Sequence, residues 1–229
     1  MNLLAIDSSH SILSVAVSTF DEIFCEETKA GMKHSELVME LIDRQMKKAR
    51  LSPDDLDGVL CMGGPGSFTG LRIGYSIAKG LALSLSIPFA SVPTLDCMAF
   101  PCRDRAFVLA AIEARKNTFF YAFYRGDRPE PQTAPPEDAQ ASRIALDIER
   151  YSEKITLTGT GAASLYDSFS EETKKNVELD LQNRNYSREL IAIAQLRKIM
   201  DNDNTAFLYS GPEYIRKTDA EINLLNSGN

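Results

Sequence analysis

Short apolar runs alternate with polar turns over the first thirty residues. The runs cover residues 3–6, 12–18 and about 22–28, and each is separated from the next by only a few polar residues. Runs of this length joined by short turns are typical of strands that pair in chain order. The pattern therefore predicts an antiparallel three-stranded meander, in which the first strand ends at Asp7 and the turn contains Ser8 and Ser9.

A longer pattern with helical spacing follows at residues 33–50. At 100° per residue its apolar side chains cover an arc of roughly 200°, whereas one packed face needs little more than 100°. The surplus edge contains methionines, which suit adaptable contacts. Two explanations stay open: a partner contact through the edge that carries Met39 and Met46, or a helix that lies deeper in its own core.

A glycine-rich turn between a strand and a helix stands at the centre of the chain. Six of the 13 glycines fall within residues 61–86, and they follow an apolar strand at residues 59–62. Glycine in such a turn lets another group approach the backbone closely. That group can be a ligand, a phosphate or a partner, or simply another part of the same fold packed tightly against the turn.

The helix launched by this turn, residues 67–86, is apolar nearly all round. Leu71, Tyr75 and further apolar residues form one stripe, while the opposite side carries Ile73, Gly80 and Leu83. A helix with apolar residues on both sides is buried on both sides. One side is expected to pack on the sheet, and the other to meet a second helix or a partner.

The second half of the chain predicts another α/β unit. A continuous apolar strand at residues 106–112 and its return at residues 118–124 form a hairpin, and a Pro-rich loop follows at residues 126–136. A helix near residues 142–151, a strand at residues 155–158 and a turn containing Gly159 and Gly161 come next. The last clear helix begins at Ser187 and ends near Met200.

Composition and charge limit the classes of protein to which this chain can belong. The chain has 229 residues and a net charge of −7, and such an acidic chain does not favour binding nucleic acid alone. The four cysteines form no CxxC pair, which is typical of reduced thiols. The first residues do not resemble a signal peptide, and no apolar run reaches 18 residues. We expect a cytoplasmic protein that does not enter a membrane.

Candidate chemistry is sparse. The two histidines, His10 and His34, form no metal-binding motif, so a zinc or iron site built from His and Cys is disfavoured. Ser67 does not lie in a G-x-S-x-G elbow and is expected to cap a helix. Asp7 at the end of the first strand could help to hold a metal–nucleotide, or could simply cap the turn, whose sequence contains no glycine.

Several segments resemble the bacterial TsaB family, also called YeaZ. The most specific segment is GGPGSFTGLRIG, residues 63–74. Five further segments occur in the same order as in the family: LLAIDSS, MKHSELVMELID, AAIEARKNTFFYAFY, GTGA and PEYIRK. The signature loop consists of Gly63, Gly64, Pro65, Gly66, Ser67, Phe68, Thr69, Gly70 and Arg72. The resemblance implies an α/β, actin-like (Hsp70/sugar-kinase) fold with two lobes, each a mixed sheet flanked by helices. The lobes would be residues 1–103, joined by a returning segment at about 187–229, and residues 104–186.

The resemblance also implies a function and partners. The chain would be a non-catalytic subunit of the machinery that forms threonylcarbamoyladenosine in tRNAs reading codons that begin with A. It would support the catalytic paralogue TsaD, together with the ATPase TsaE, and would meet tRNA only through the complex. Partner or homodimer contacts would lie on the two helices of the first lobe, at Met39, Ile42, Met46, Ile73, Gly80 and Leu83.

The comparison with the catalytic paralogue predicts a silent site. Where TsaD has HxxxH, this chain has Thr94 and Met98, neither of which is a good ligand for a hard metal. No firmly bound cofactor is expected, although ATP or ADP could bind at the level of the complex. Weak remnants of a nucleotide site would be Asp7, Ser8, Ser9, Gly159 and Gly161. The role of Arg115 stays open between a charge in a hairpin turn and a contact residue.

Two other functions are each favoured or opposed by particular residues. Asp7 favours an actin-like-fold ATPase or small-molecule kinase, which the missing phosphate glycine opposes. A metallopeptidase is opposed by the lack of any histidine pair.

Overall fold

The structure is a computed structural model that describes residues 1–31, 33–115, 117–126, 138–182, 186–201 and 211. Most of the Pro-rich loop and the PEYIRK segment lie outside these residues, as does the side chain of Arg115.

The first sheet has five strands in the order β3-β2-β1-β4-β5. Their bounds are β1 Leu3–Asp7, β2 Ile12–Ser18, β3 Ile23–Lys29, β4 Gly58–Met62 and β5 Phe89–Val92. The first three strands form the antiparallel meander that the sequence predicts. β4 lies parallel to β1, and β5 lies parallel to β4, so the carboxyl ends of these three strands meet at one edge.

Two long helices, α1 (His34–Ala49) and α2 (Phe68–Leu85), cover one face of this sheet. The Ser67 hydroxyl caps α2 by accepting a hydrogen bond from the Gly70 amide at 3.2 Å, the role expected from the sequence. Between the helices and the sheet lies a buried cluster that includes Ile6, Val38 and Ala78.

The second sheet has the order β10-β9-β6-β7-β8. Its strands are β6 Phe107–Arg115, β7 Thr118–Arg125, β8 Asp138–Gln140, β9 Ile155–Thr158 and β10 Val177–Leu179. The helices with it are α4 Ala141–Ile148, α5 Ala162–Asp167 and α6 Glu171–Lys175. β6 and β7 form the predicted hairpin, and β9 lies parallel to both β6 and β10. α4 and α5 help to enclose a second buried cluster on one face.

Two further helices join the sheets: α3 (Thr94–Ala99) packs on β6 and β7, and α7 (Tyr186–Leu196) packs on β1, β2 and β4. They belong to a third cluster that includes Leu3 of the first sheet and Val108 of the second. The result is a two-lobed α/β protein with a core shared by both sheets. No helix within the described ranges is both long enough and apolar enough to span a membrane.

Candidate functional site

One oxygen of the Asp7 carboxylate is hydrogen-bonded within its own turn. It lies at the carboxyl end of β1 and is fully buried. Its Oδ1 accepts hydrogen bonds from the Ser9 amide at 2.9 Å and the Ser9 hydroxyl at 2.6 Å. Its Oδ2 accepts no hydrogen bond within the described residues and lies 3.4 Å from Nδ1 of His10. An aspartate that bonds the backbone two residues ahead stabilises a turn, so Asp7 caps the end of β1.

The glycine-rich loop sits directly on this turn. The Ser67 amide donates to the Ser9 carbonyl at 2.7 Å, and the Ser8 hydroxyl donates to the Gly70 carbonyl at 2.7 Å. A Cβ at Gly66 would lie 2.6 Å from the Ser9 carbonyl oxygen, and one at Gly70 would overlap the Ser8 carbonyl. These glycines are therefore needed for close approach of the chain's own backbone, the tight-packing alternative.

The first part of the loop is bonded to the end of β5. The Gly63 amide donates to the Val92 carbonyl at 2.7 Å, and the Gly64 carbonyl accepts from the Thr94 amide at 2.8 Å. Gly64 has a φ of 105°, which favours glycine, and the Gly64–Pro65 peptide is cis. These contacts hold the loop between the ends of β1 and β5.

The solvent-facing part of the loop is short. Ser67, Phe68, Thr69 and Arg72 are exposed, and the Arg72 guanidinium lies 5.1 Å from the centre of the Phe68 ring. Such a cation–π contact at an exposed site contributes about 0.5–1 kcal/mol. These four residues are the exposed part of the signature loop, and Gly66 is partly exposed.

The glycines of the second lobe have a similar explanation. The Gly161 amide donates to the Ala111 carbonyl at 2.9 Å, and a Cβ at Gly161 would lie 2.6 Å from the Glu113 amide nitrogen. Gly159 has a φ of 101° and also lies against Ala111. The residues expected as remnants of a nucleotide site are thus held against neighbouring backbone in both lobes.

Both histidines of the chain join the Asp7 turn. His34, the first residue of α1, contacts the His10 carbonyl through Nε2 at 2.9 Å. The ring of His10 meets the ring of Tyr186 edge-on at 5.8 Å. Sequence reasoning missed this cluster because His10, His34 and Tyr186 are far apart in the chain and share no motif.

The two positions that the family resemblance sets against an HxxxH motif lie in α3. Thr94 and Met98 are each 1% exposed, and Met98 packs toward Gly159. Across the described ranges, no three or more His, Cys, Asp or Glu side chains are grouped so as to hold a metal ion.

Two of the buried thiols, Cys61 and Cys97, are held in the neutral form. Burial raises the pKa of the Cys61 thiol and of the Cys97 thiol well above the ordinary value. Because the thiolate is the reactive form, both side chains stay neutral and unreactive near pH 7.

The outer surface of α1 and α2 exposes several apolar groups. Met39 is 49% exposed and Leu83 62% exposed, while Gly80 is exposed with open space beside it. Ile73 is half-buried against the cluster beneath. We call Met39, Ile73, Gly80 and Leu83 the helix-pair face.

Two residues expected on that surface lie elsewhere. Ile42 is 7% exposed and Met46 6% exposed, and both pack into the cluster between the helices and the first sheet. This placement corrects their assignment to a partner surface. The wide apolar arc of α1 therefore has two parts. Most of the arc is buried in the lobe's own core, and its edge at Met39 is exposed to solvent.

Comparison with known proteins gives consistent relatives. Residues 27–224 match the family model for TsaD, tRNA N6-adenosine threonylcarbamoyltransferase. The chain is 26% identical over 232 residues to the tRNA threonylcarbamoyladenosine biosynthesis protein TsaB of Bacillus subtilis, covering 99% of each chain. It is 29% identical over 215 residues to the protein of the same name from Haemophilus influenzae, covering 86% of this chain and 88% of the relative.

A solved structure supports the fold. YeaZ from Pseudomonas aeruginosa matches with a TM-score of 0.75 at 21% identity, over 93% of this chain and 99% of that one. This match confirms the two-lobed fold that the sequence resemblance implies. The chain therefore belongs to the TsaB (YeaZ) family, within the wider group that the threonylcarbamoyltransferase model describes.

Proposed function

We propose that this protein is a non-catalytic subunit of the machinery that forms threonylcarbamoyladenosine in tRNAs reading codons that begin with A. Its family relatives carry the name of that biosynthesis, and its chain also matches the model of the catalytic paralogue. A chain of this kind supports a TsaD-type catalytic subunit, and it would work in the cytoplasm, where tRNA is modified.

One observation carries the non-catalytic part of the proposal. The glycine loop that could admit a substrate is filled by the Ser8–Ser9 backbone, and the Asp7 carboxylate beside it is bonded to Ser9 and faces His10. A catalytic group must reach the reacting atoms. Here the Asp7 carboxylate and the Ser9 hydroxyl, which could act in catalysis, stabilise a turn instead.

The partner surface is the helix-pair face. Met39 and Leu83 are large exposed apolar side chains on adjacent helices, and Gly80 lets another helix approach closely. A patch of exposed apolar side chains with charged residues around it is typical of a protein–protein interaction site. Charged pairs on α1, such as Arg44 with Glu40 at 2.8 Å, supply that rim. The proposed occupants are a TsaD-type subunit or a second copy of this chain, and a TsaE-type ATPase completes the complex.

Nucleotide would then be a ligand of the assembled complex. The isolated chain is not expected to hold ATP or ADP firmly, because the groups that would contact phosphate are packed against backbone in both lobes. tRNA contact is likewise assigned to the complex, since the chain alone is acidic.

Reconstitution tests the proposal. The purified chain is assayed alone, and then with a TsaD-type subunit, a TsaE-type ATPase and a source of threonylcarbamoyl-adenylate. We expect modified tRNA only from the full set, and neither ATP turnover nor tRNA modification by the chain alone. Tight magnesium–ATP binding with turnover by the isolated chain would favour the ATPase or kinase alternative instead.

A further inference from the structure

The two lobes meet through a buried carboxylate. Asp96 lies in α3 and is only 5% exposed. Its Oδ1 accepts a hydrogen bond from the Tyr124 hydroxyl at 2.8 Å, and its Oδ2 accepts from Nη1 of Arg197 at 2.6 Å. Tyr124 belongs to β7 of the second sheet, whereas Arg197 follows α7, which packs on the first sheet.

The Asp96 carboxylate and Tyr124 are buried, whereas 24% of the Arg197 side chain is exposed. All six residues of α3 are buried, and they contribute with Tyr124 to the core shared by the two sheets. A buried charge is stable only when it is paired and bonded, and each charge-assisted bond in such a place has a demanding geometry. The three side chains can satisfy one another only in one relative placement of β7, α3 and α7.

A second polar contact joins the two places where the chain passes between lobes. The first passage lies between α3 and β6, and the second between β10 and α7. The Cys102 thiol, in the first, donates to Oδ2 of Asp180, at the start of the second, at 3.0 Å. One contact that belongs to neither sheet therefore joins the first passage to the start of the second.

We propose that Asp96, with Tyr124 and Arg197, is an interlobe lock that fixes the orientation of the second lobe relative to the first. Domains joined by small polar contacts move against each other, whereas a large apolar contact holds them together. Here a shared apolar core resists separation, and the Asp96 group selects one orientation out of those that an apolar contact alone would tolerate. The lock keeps the chain as one rigid body.

The hydroxyl that completes the lock keeps its proton. Burial and the neighbouring Asp96 raise the pKa of Tyr124 well above the ordinary value, so the side chain is a hydrogen-bond donor at every physiological pH.

The chain offers a matched pair of variants to test it. Tyr121 and Tyr124 lie on the same strand, and each donates to a carboxylate at 2.8 Å. The acceptor of Tyr121 is Asp147 in α4 of the same lobe, while the acceptor of Tyr124 lies in α3, at the junction. Tyr121→Phe thus removes a bond of the same length, in a less buried place, that does not cross between the lobes.

Hydrogen exchange of the full chain, followed by mass spectrometry, gives the readout. A bond to a charged group is worth enough that its loss speeds local opening by about tenfold or more. Tyr124→Phe is expected to speed exchange in α3 and α7 as well as in β7, and Tyr121→Phe only in β7 and α4. Asp96→Asn, which keeps the shape and removes the charge, should reproduce the Tyr124→Phe pattern.

Two results would overturn the proposal. One is a Tyr124→Phe variant whose faster exchange stays within β7, as in the control. The other is a uniform increase in all peptides of both variants, which would mean that these bonds stabilise the whole fold and select no orientation. If Asp96→Asn fails to fold, the Tyr124→Phe comparison alone decides.

Discussion

The amide of Ser67 donates to the carbonyl of Ser9 at 2.7 Å, which ties the start of α2 to the turn after β1. Because of this bond, the most distinctive loop in the sequence is part of the packing of the first lobe. The glycines on either side of Ser67 make room for the same turn.

Two glycine substitutions separate packing from helix propensity. Gly70→Ala is expected to destabilise the protein by several kcal/mol or prevent folding, because the new Cβ would overlap the Ser8 carbonyl. Gly80→Ala, in the same helix, meets open space and should stabilise it by about 0.5–1 kcal/mol. Urea unfolding of the monomer measures both. Equal, small effects would show that the loop does not need glycine for packing.

A charged substitution tests whether the helix-pair face binds a partner. Leu83→Glu should abolish association with a partner while the monomer keeps its unfolding midpoint, because Leu83 is 62% exposed in the free chain. Phe20→Glu is the control, since Phe20 is 90% exposed in the turn between β2 and β3 and belongs to neither helix. Sedimentation velocity and thermal unfolding are measured for both. If Leu83→Glu unfolds the monomer, the face is core, and if both variants associate normally, the interface lies elsewhere.

The opposite behaviour is expected at Met46. Met46→Ala removes a side chain from the cluster between α1 and the first sheet, so it should cost about 2–5 kcal/mol of unfolding free energy. Met39→Ala, on the exposed edge of the same helix, should cost less than about 0.5 kcal/mol. Denaturant unfolding compares the two variants. A small loss of unfolding free energy in Met46→Ala would indicate that Met46 lies on the surface.

Tyr121 predicts a specific loss of stability at high pH. Burial, and to a smaller extent the hydrogen bond to Asp147, raises the pKa of Tyr121 from 10.0 to about 12. The unfolded tyrosine ionises first, so the stability due to this group is complete below pH 10 and is lost between pH 10 and about 12. Urea midpoints across this range should fall more steeply in the wild type than in Tyr121→Phe. Parallel curves would contradict the assignment.

Thiol reactivity provides an independent check of the cores. Cys61 and Cys97 are buried and neutral, so iodoacetamide should not modify them in the folded protein at pH 8. Cys25, which is partly exposed on β3, should react first. Peptide mapping before and after denaturation measures the order, and rapid native labelling of Cys97 would mean that the central core opens readily.

Local patterns predicted the repetitive elements well, because their residues carry the period that burial imposes. The meander, the hairpin β6–β7 and the long helices follow directly from apolar spacing. The short elements β8, β10 and α6 were not predicted, because three to five residues are too few to show a period.

The site was harder to predict because its contacts are long-range. The sequence showed that the loop at residues 63–70 needs glycine, but it could not show what approaches it; the answer lies about sixty residues earlier, at Ser8 and Ser9. The apolar arc of α1 was likewise correct in extent and ambiguous in cause. Asp96 gave no signal at all, since its partners come from β7 and from the end of α7.

The most direct test of the central claim measures binding and tRNA modification in one sample. A TsaD-type subunit with the remaining components is combined with wild-type chain, with Leu83→Glu or with Phe20→Glu. We predict a complex and modified tRNA with wild type and Phe20→Glu, and neither with folded Leu83→Glu. Full modification by the Leu83→Glu sample, or by the mixture without this chain, would contradict the account.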